Sequence, residues 1–253
     1  MIDIHTHILP GIDDGAVDPY DTLEMARIAA DSGVRSIVAT PHCNVTGMYS
    51  NYYGEEYIKL FQETERMLLK ERIPITLYSG MEEFLTSDVL RLLREGKLLT
   101  LNGGHYMLVE FAFDEEPEYA ESMLGKISEL GIKPVVAHPE RYEFVQDDPQ
   151  IVYYWRRAGY QVQVNKGSLQ GRYVRHAYET AHRILKHRLV SVIASDAHGP
   201  YKRTPYMLDV YEELAQDYSE RYLKILFEEN PMRICKDQQT IRVELHPFAE
   251  ENW

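Results

Sequence analysis

Short runs rich in Val, Ile and Leu alternate with longer stretches of helical periodicity along nearly the whole chain. Seven such runs read as strands, at 2–8, 36–40, 75–79, 106–111, 133–138, 161–165 and 191–195. Helical patterns fall between and after them, at 20–31, 55–70, 87–94, 118–130, 149–157, 176–186, 205–216 and 220–228. Strands that are apolar on both faces and separated by helices predict a parallel sheet covered on both sides. The fold class is therefore α/β, and a closed barrel is favoured over an open doubly wound sheet.

No low-complexity linker or shift of composition divides the sequence, so residues 1–253 are expected to form a single domain. With 44% hydrophobic and 26% charged residues, the chain has material for a full core. No stretch approaches the roughly 20 apolar residues of a membrane helix, and an acidic strand pattern opens the chain where a signal peptide would be basic. A cytoplasmic protein, not inserted in membrane, is expected. Two cysteines, Cys43 and Cys235, cannot make a disulfide framework and read as small hydrophobes. The net charge of −13 argues against nucleic acid as a partner. The 19 tyrosines suggest no special partner, because Tyr211, Tyr218 and Tyr222 fall on helical faces where packing explains them.

The polar residues that interrupt this pattern collect at one end of the strands. Alternate side chains of a strand share a face, so His5 and His7 aim at one point. Asp14 follows in the next loop, and the second strand runs out into Thr40, Pro41 and His42. The third ends in Gly80, Met81 and Glu82, the fourth holds Glu110, the fifth closes on His138, the sixth on Asn165, and the seventh on Asp196 and His198. From His42 to Asp196 these positions recur at intervals of 40, 28, 28, 27 and 31 residues, near the ~30 of one strand-helix repeat. In a (β/α) barrel function is assembled at the carboxyl ends of the strands.

Each of these residues also has an ordinary structural role open to it. Asp14 lies in Gly-Ile-Asp-Asp-Gly, normal turn chemistry. His42 can cap a loop, Glu110 can pair with a core Arg, and His138 can bond a backbone carbonyl. Glu110 resists this best, because a carboxylate between Val109 and Phe111 is costly to bury without a cation or hydrogen-bonded partner. Glu83, beside Glu82, points to the opposite strand face as a supporting or surface carboxylate. His105, His176, His182, His187 and His246 are expected on the surface. The favoured set of His5, His7, Asp14, His42, Glu82, Glu110, His138, Asp196 and His198 exceeds one tetrahedral ion, so two or three divalent metals are expected. Mixed imidazole and carboxylate ligation suits Mn, Fe or Zn.

The opening run from Met1 to Gly15, with Thr40-Pro-His42, Gly80-Met-Glu82, His138-Pro-Glu-Arg141 and Ser195-Asp-Ala-His198, resembles the bacterial PHP-superfamily tyrosine phosphatases of the CpsB/YwqE type. The likeness spans nearly the whole chain. It implies a distorted TIM-like barrel of seven strands, a trinuclear centre usually described with manganese, and dephosphorylation of a tyrosine kinase that controls capsule or exopolysaccharide synthesis. Carried over position by position, it gives one metal to His5, His7 and Asp196. Glu82 then bridges to a second that also takes Glu110 and His138, and Asp14, His42 and His198 hold the third. Arg141 and Arg203 match arginines that grip the phosphate, although Arg203 on its own reads as surface charge beside Lys202. Cys43 departs from the pattern, since relatives often carry a basic residue there.

The residue chemistry fits hydrolysis by direct attack of a metal-activated hydroxide, because metals lower the pKa of bound water from about 15.7 toward ~7. The guanidinium forks of Arg141 and Arg203 match phosphate oxygens, and Asp196 and His198 stand at the reacting end; the acid for the departing phenolate is open between His198, another acid behind the ligands, and none, since a phenolate of pKa ~10 needs little help. A cysteine phosphatase is excluded, because the positions six after Cys43 and Cys235 hold Tyr49 and Ile241. No phosphate-binding loop of the Gly-x-x-x-x-Gly-Lys type and no Gly-x-Ser-x-Gly elbow is present. The alternatives are a metallohydrolase of a small phosphate monoester such as histidinol phosphate, or a regulatory module that keeps its metals for structure.

Overall fold

Every predicted apolar run forms a parallel strand in the computed structural model, which describes residues 1–248. The first half runs β1 (Ile2–Thr6), α1 (Pro19–Asp31), β2 (Ser36–Ala39), β3 (His42–Cys43), α2 (Glu55–Lys70), β4 (Thr76–Ser79), β5 (Glu82–Phe84) and α3 (Val89–Arg94). Next come β6 (Tyr106–Glu110), α4 (Pro117–Glu129), β7 (Lys133–Ala137), α5 (Glu143–Asp147), α6 (Gln150–Ala158) and β8 (Gln161–Asn165). The chain closes with α7 (Lys166–Leu169), α8 (Arg175–Lys186), β9 (Val192–Ala194), α9 (Leu208–Leu214), α10 (Glu220–Lys224) and α11 (Asn230–Cys235).

Nine strand segments replace the seven expected because two strands are interrupted. Pro41 has no N–H to give the ladder, so the second strand breaks there and resumes as β3. The third breaks at Gly80 and Met81 and resumes as β5. A Cβ on Gly80 would come within 2.8 Å of Val38 Cγ1, so only glycine allows this approach. The segments form two ladders, β1-β2-β4 and β3-β5-β6-β7-β8-β9. The remaining seam is bridged where Asp196 N–H donates to His5 O at 2.9 Å and His7 N–H to Ala197 O at 2.9 Å. A distorted barrel results.

Its interior holds Ile2, Ile4, Val38, Tyr106, Leu108, Val135, Ala137, Val192 and Ala194 in one apolar cluster. The alternate residues, including Ile37, Leu77, Met107, Val109, Val136, Val164 and Ile193, pack outward under the helices. Helix α1 shows the local logic. Asp18 accepts from the N–H groups of Tyr20 and Asp21, Pro19 occupies the first turn, and Thr22, Met25, Ala26 and Ala29 form the buried stripe.

One irregularity positions the site. Asp3 pairs with Ile37 and Thr6 with Ala39, so β1 carries one residue more than β2 across the same span. This bulge brings His5 and His7 to the side already taken by Ile2 and Ile4. Strand β1 ends at Thr6, and His7 stands just past it.

Several sequence expectations are corrected. Helices α5 and α7 are too short for periodicity to reveal, and the segment predicted at 220–228 passes through a π turn at 225–229 into α11. Glu83 is not at the surface: it pairs with Val109 on the outer barrel face and is fully buried, accepting the Leu99 N–H at 3.0 Å. His182 and His187 are half-buried rather than solvated, the first bonding Leu169 O at 2.9 Å and the second stacking on Phe248.

Candidate metal centre

All nine predicted donors meet at the carboxyl end of the strands. His7, Asp14, His42 and His198 bring a ligand atom each within 4.8 Å of one another, and the same holds for His5, His7 and Asp196. Glu82 does so twice, with His5 and His138 and with His42 and Glu110. The ladder register explains this, because His42 pairs with Glu82 and Glu82 with Leu108, while Glu110 stands one layer higher beside Phe84. Two donors adopt left-handed backbone, His138 at φ 33° and Asp196 at φ 50°. Both lie directly beyond or just past a strand end, and such strain is commonly stored at functional sites.

The hydrogen bonds around the donors decide which atoms are free. Asp196 Oδ2, a carboxylate acceptor, takes the Asn165 amide N–H at 2.6 Å. Asn165 Oδ1 then takes the Gln163 amide at 2.8 Å, and Gln163 Oε1 faces His5 Nδ1 at 2.9 Å. Each amide's direction fixes the next, so His5 carries its proton on Nδ1. His7 Nδ1 faces Asp13 Oδ2 at 2.7 Å and is protonated for the same reason. In the neutral rings both Nε2 atoms are bare lone pairs, and they lie 3.3 Å apart. His42 Nδ1 and Glu82 Oε2 stand 3.0 Å apart, both buried and without a hydrogen bond. Facing lone pairs of this kind need a cation, so the residues present fit divalent metals.

Electrostatics in the metal-free chain point the same way. Burial opposes charge on every group here. Glu82 and Asp196 outweigh it at His5, and Asp13 at His7, so both imidazoles are held above their ordinary value. His42 is pushed up to about 10 by Glu82 and Glu110 despite burial. Burial and the neighbouring His7 push His198 down to about 2, which leaves it a lone-pair donor. Against burial, the surrounding imidazoles hold Glu82 well below the carboxylate range, and His5 and Arg203 do the same for Asp196. Protons and metal ions thus compete for one set of atoms.

Arg141 and Arg203 flank the mouth. Arg203 makes a 2.6 Å ion pair with Asp196 Oδ2, and Arg141 stands 3.5 Å from the same oxygen. Arg203 is therefore fixed at the centre and is not loose surface charge. The Arg141 guanidinium lies 4.3 Å from the Phe113 ring centre and 5.0 Å from that of Tyr173, and Arg203 lies 5.9 Å from Tyr173. Seven of the donors, all but His5 and His7, line a cavity of about 300 Å³, to which Asp14, with its side chain 52% exposed, opens a solvent edge. An apolar groove of about 400 Å³ continues from it, lined by Phe113, Arg141, Tyr173, Val174 and Ala177.

Sequence reasoning missed the supporting residues. Asp13 looked like half of a turn pair, yet it holds His7 and accepts the His42 N–H at 2.9 Å. Gln163 resembles an ordinary strand residue, and only the inward face of β8 distinguishes it. Gly15 reads as a turn glycine, but its α-carbon presses on His7, and a Cβ there would lie 2.4 Å from His7 Cβ. Tyr49 stacks on the His42 ring at 5.7 Å.

Comparison with known proteins matches residues 1–236 to the family described as capsular polysaccharide synthesis, CpsB/CapC. The chain is 36% identical over 242 residues to tyrosine-protein phosphatase YwqE of Bacillus subtilis, covering 96% of this chain and 94% of that protein. It is 31% identical to tyrosine-protein phosphatase CpsB of Streptococcus pneumoniae, covering 94% and 99%. In three dimensions it is similar to a chain from the crystal structures of YwqE and CpsB, described as unique metal-dependent tyrosine phosphatases. That superposition has a TM-score of 0.90 at 34% identity and covers 99% of this chain and all of the other.

Proposed function

Because this chain belongs to the CpsB/CapC family of capsular polysaccharide synthesis proteins, we propose that it is a metal-dependent phosphatase that hydrolyses phosphotyrosine on a protein. The observation that carries this is the meeting of nine imidazole and carboxylate donors beside two arginines in one open cleft. The family match and the single strand ring support treating residues 1–253 as one phosphatase domain.

His5, His7 and Asp196 would hold one ion, Asp14, His42 and His198 a second with His7 close by, and Glu110 and His138 a third, with Glu82 shared. Mixed nitrogen and oxygen donors suit manganese, iron or zinc alike, and the family likeness favours manganese. When bound, such ions lower the pKa of water toward neutrality and neutralise phosphate charge. The chain's own residues do the remainder. Arg141 and Arg203 fix the phosphoryl oxygens, their charge permanent and their planes held against Phe113 and Tyr173. Asp13, Gln163 and Asn165 keep donor lone pairs aimed inward. Phe113 and Tyr173 offer an apolar wall to the phenyl ring of the substrate and to residues beside it.

A small monoester such as histidinol phosphate would leave that wall idle, so a protein substrate is favoured. The partner proposed is a tyrosine kinase of capsule or exopolysaccharide synthesis, in keeping with the family's description, and the cytoplasm is the proposed location. Among the described residues no helix is long and apolar enough to cross a membrane. The deciding experiment compares turnover of a phosphotyrosine peptide, a phosphoserine peptide and histidinol phosphate with and without chelator. Preference for phosphotyrosine, lost with EDTA and restored by manganese, is expected. Activity indifferent to EDTA, or confined to histidinol phosphate, would reject this function.

A further inference from the structure

At the other end of the barrel lies a larger cavity that the phosphatase chemistry does not use. It occupies about 830 Å³ beneath the starts of β6, β7 and β8, between the last turns of α4 and α6, and the segment 239–245 forms its far wall. Lys133, Arg156, Arg157 and Arg242 line it, and among the described residues no Asp or Glu does, in a chain whose net charge is −13. Among the described residues, no carboxylate lies within ion-pair distance of Arg156, Arg157 or Arg242. Lys133 reaches only Asp237, at 3.9 Å, and otherwise covers the Tyr106 ring.

Arg156 is the telling member. Its Nη1 donates to Tyr160 O at 2.8 Å and to Gln161 Oε1 at 2.9 Å, but its Nε is buried without a partner. Thr240 holds Gln161 Oε1 from the tail at 3.0 Å, so this wall is built into the fold. A half-buried guanidinium with no carboxylate beside it among the described residues is costly, and an oxyanion in the cavity would relieve it.

We propose that this cavity is a binding site for a phosphate-bearing small molecule, with Arg156, Arg157 and Arg242 taking the anion. Tyr160, Ile132, Val243 and Leu245 line the remaining wall and suit an organic body. The volume is that of a small-ligand pocket. An acidic polymer fits worse, because a concave pocket in a strongly negative protein neither offers an extended basic track nor attracts a polyanion by field.

Calorimetric titration of the metal-loaded chain with uridine diphosphate, pyrophosphate and inorganic phosphate tests this, in the natural protein and in Arg157→Gln/Arg242→Gln; the metal centre also takes phosphoryl oxygens, so the site read is the one the double variant weakens, beside a catalytic one common to both proteins. Both of those arginines are exposed, so the double variant should fold normally. It is expected to bind the nucleotide at least about tenfold more weakly, as two lost charge-assisted contacts imply, while turnover of a phosphotyrosine peptide without nucleotide is unchanged. A loss confined to uridine diphosphate identifies an organic phosphate as the ligand class; an equal loss for inorganic phosphate identifies the oxyanion alone. Equal affinity in both proteins, no binding of any probe, or binding of polygalacturonate only would overturn the proposal.

Discussion

One carboxylate oxygen, Asp13 Oδ2, takes both the Nδ1 proton of His7 at 2.7 Å and the backbone N–H of His42 at 2.9 Å. Two donors from different strands are thus set by a residue that holds no metal itself.

Removing that tie should loosen the centre without unfolding the barrel. Asp13→Ala is expected to lower metal affinity roughly 10- to 100-fold, the usual cost of losing a partner behind a ligating histidine. Competition with a chromogenic chelator measures it, alongside an unchanged circular dichroism spectrum. Affinity equal to the natural protein would show that His7 is oriented by packing alone.

The arginines should affect chemistry and leave metal content intact. Arg203→Lys keeps the charge but loses the fork that reaches Asp196 and the phosphoryl oxygens. A fall in kcat/KM of about 100-fold is expected, with elemental analysis still finding the natural complement of ions. Loss of metal instead would mean that Arg203 serves to hold Asp196.

Metal affinity should climb with pH. Metal-free His42 keeps its proton until about pH 10, against 6.5 for an ordinary imidazole, whereas a ligating nitrogen must be bare. Binding near neutrality therefore expels a proton, and apparent affinity rises with pH up to about 10, flattening above. Calorimetry in two buffers of different ionisation enthalpy counts the protons, and a buffer-independent enthalpy would contradict this.

Glu83 carries a separate pH dependence, on stability. Burial raises its carboxyl from 4.5 to about 8, so the folded chain holds that proton more tightly than the unfolded chain. The stability it contributes is complete below pH 4.5 and is lost as pH rises to about 8. Glu83→Gln, which keeps an acceptor for the Leu99 N–H, should flatten the fall of Tm across that window. An unaltered slope would assign the loss to other groups.

The barrel and its nine donors were legible because both depend on period: strands recur about every repeat, and donors sit at their ends. Even the strand breaks left a cue, since Pro41 has no N–H to give. What stayed hidden depends on partners distant in sequence. Nothing near Gln163 marks it as the residue behind His5, 158 positions away. Nothing near Arg156 reveals that the chain returns at Thr240 to wall a cavity. Glu83 was ambiguous because burial of an outward carboxylate requires knowing what α3 and the loop after it cover. Arg203 looked like solvent charge until Asp196 stood beside it.

Strand β8 carries Gln163 and Asn165 on one face, a file of two amides between His5 and Asp196. Amides, unlike carboxylates, have a head and a tail, so the file has polarity. The tautomer of His5 is consequently a property inherited from a neighbouring strand. Evolution can retune the grip on metal there while every coordinating side chain stays as it is.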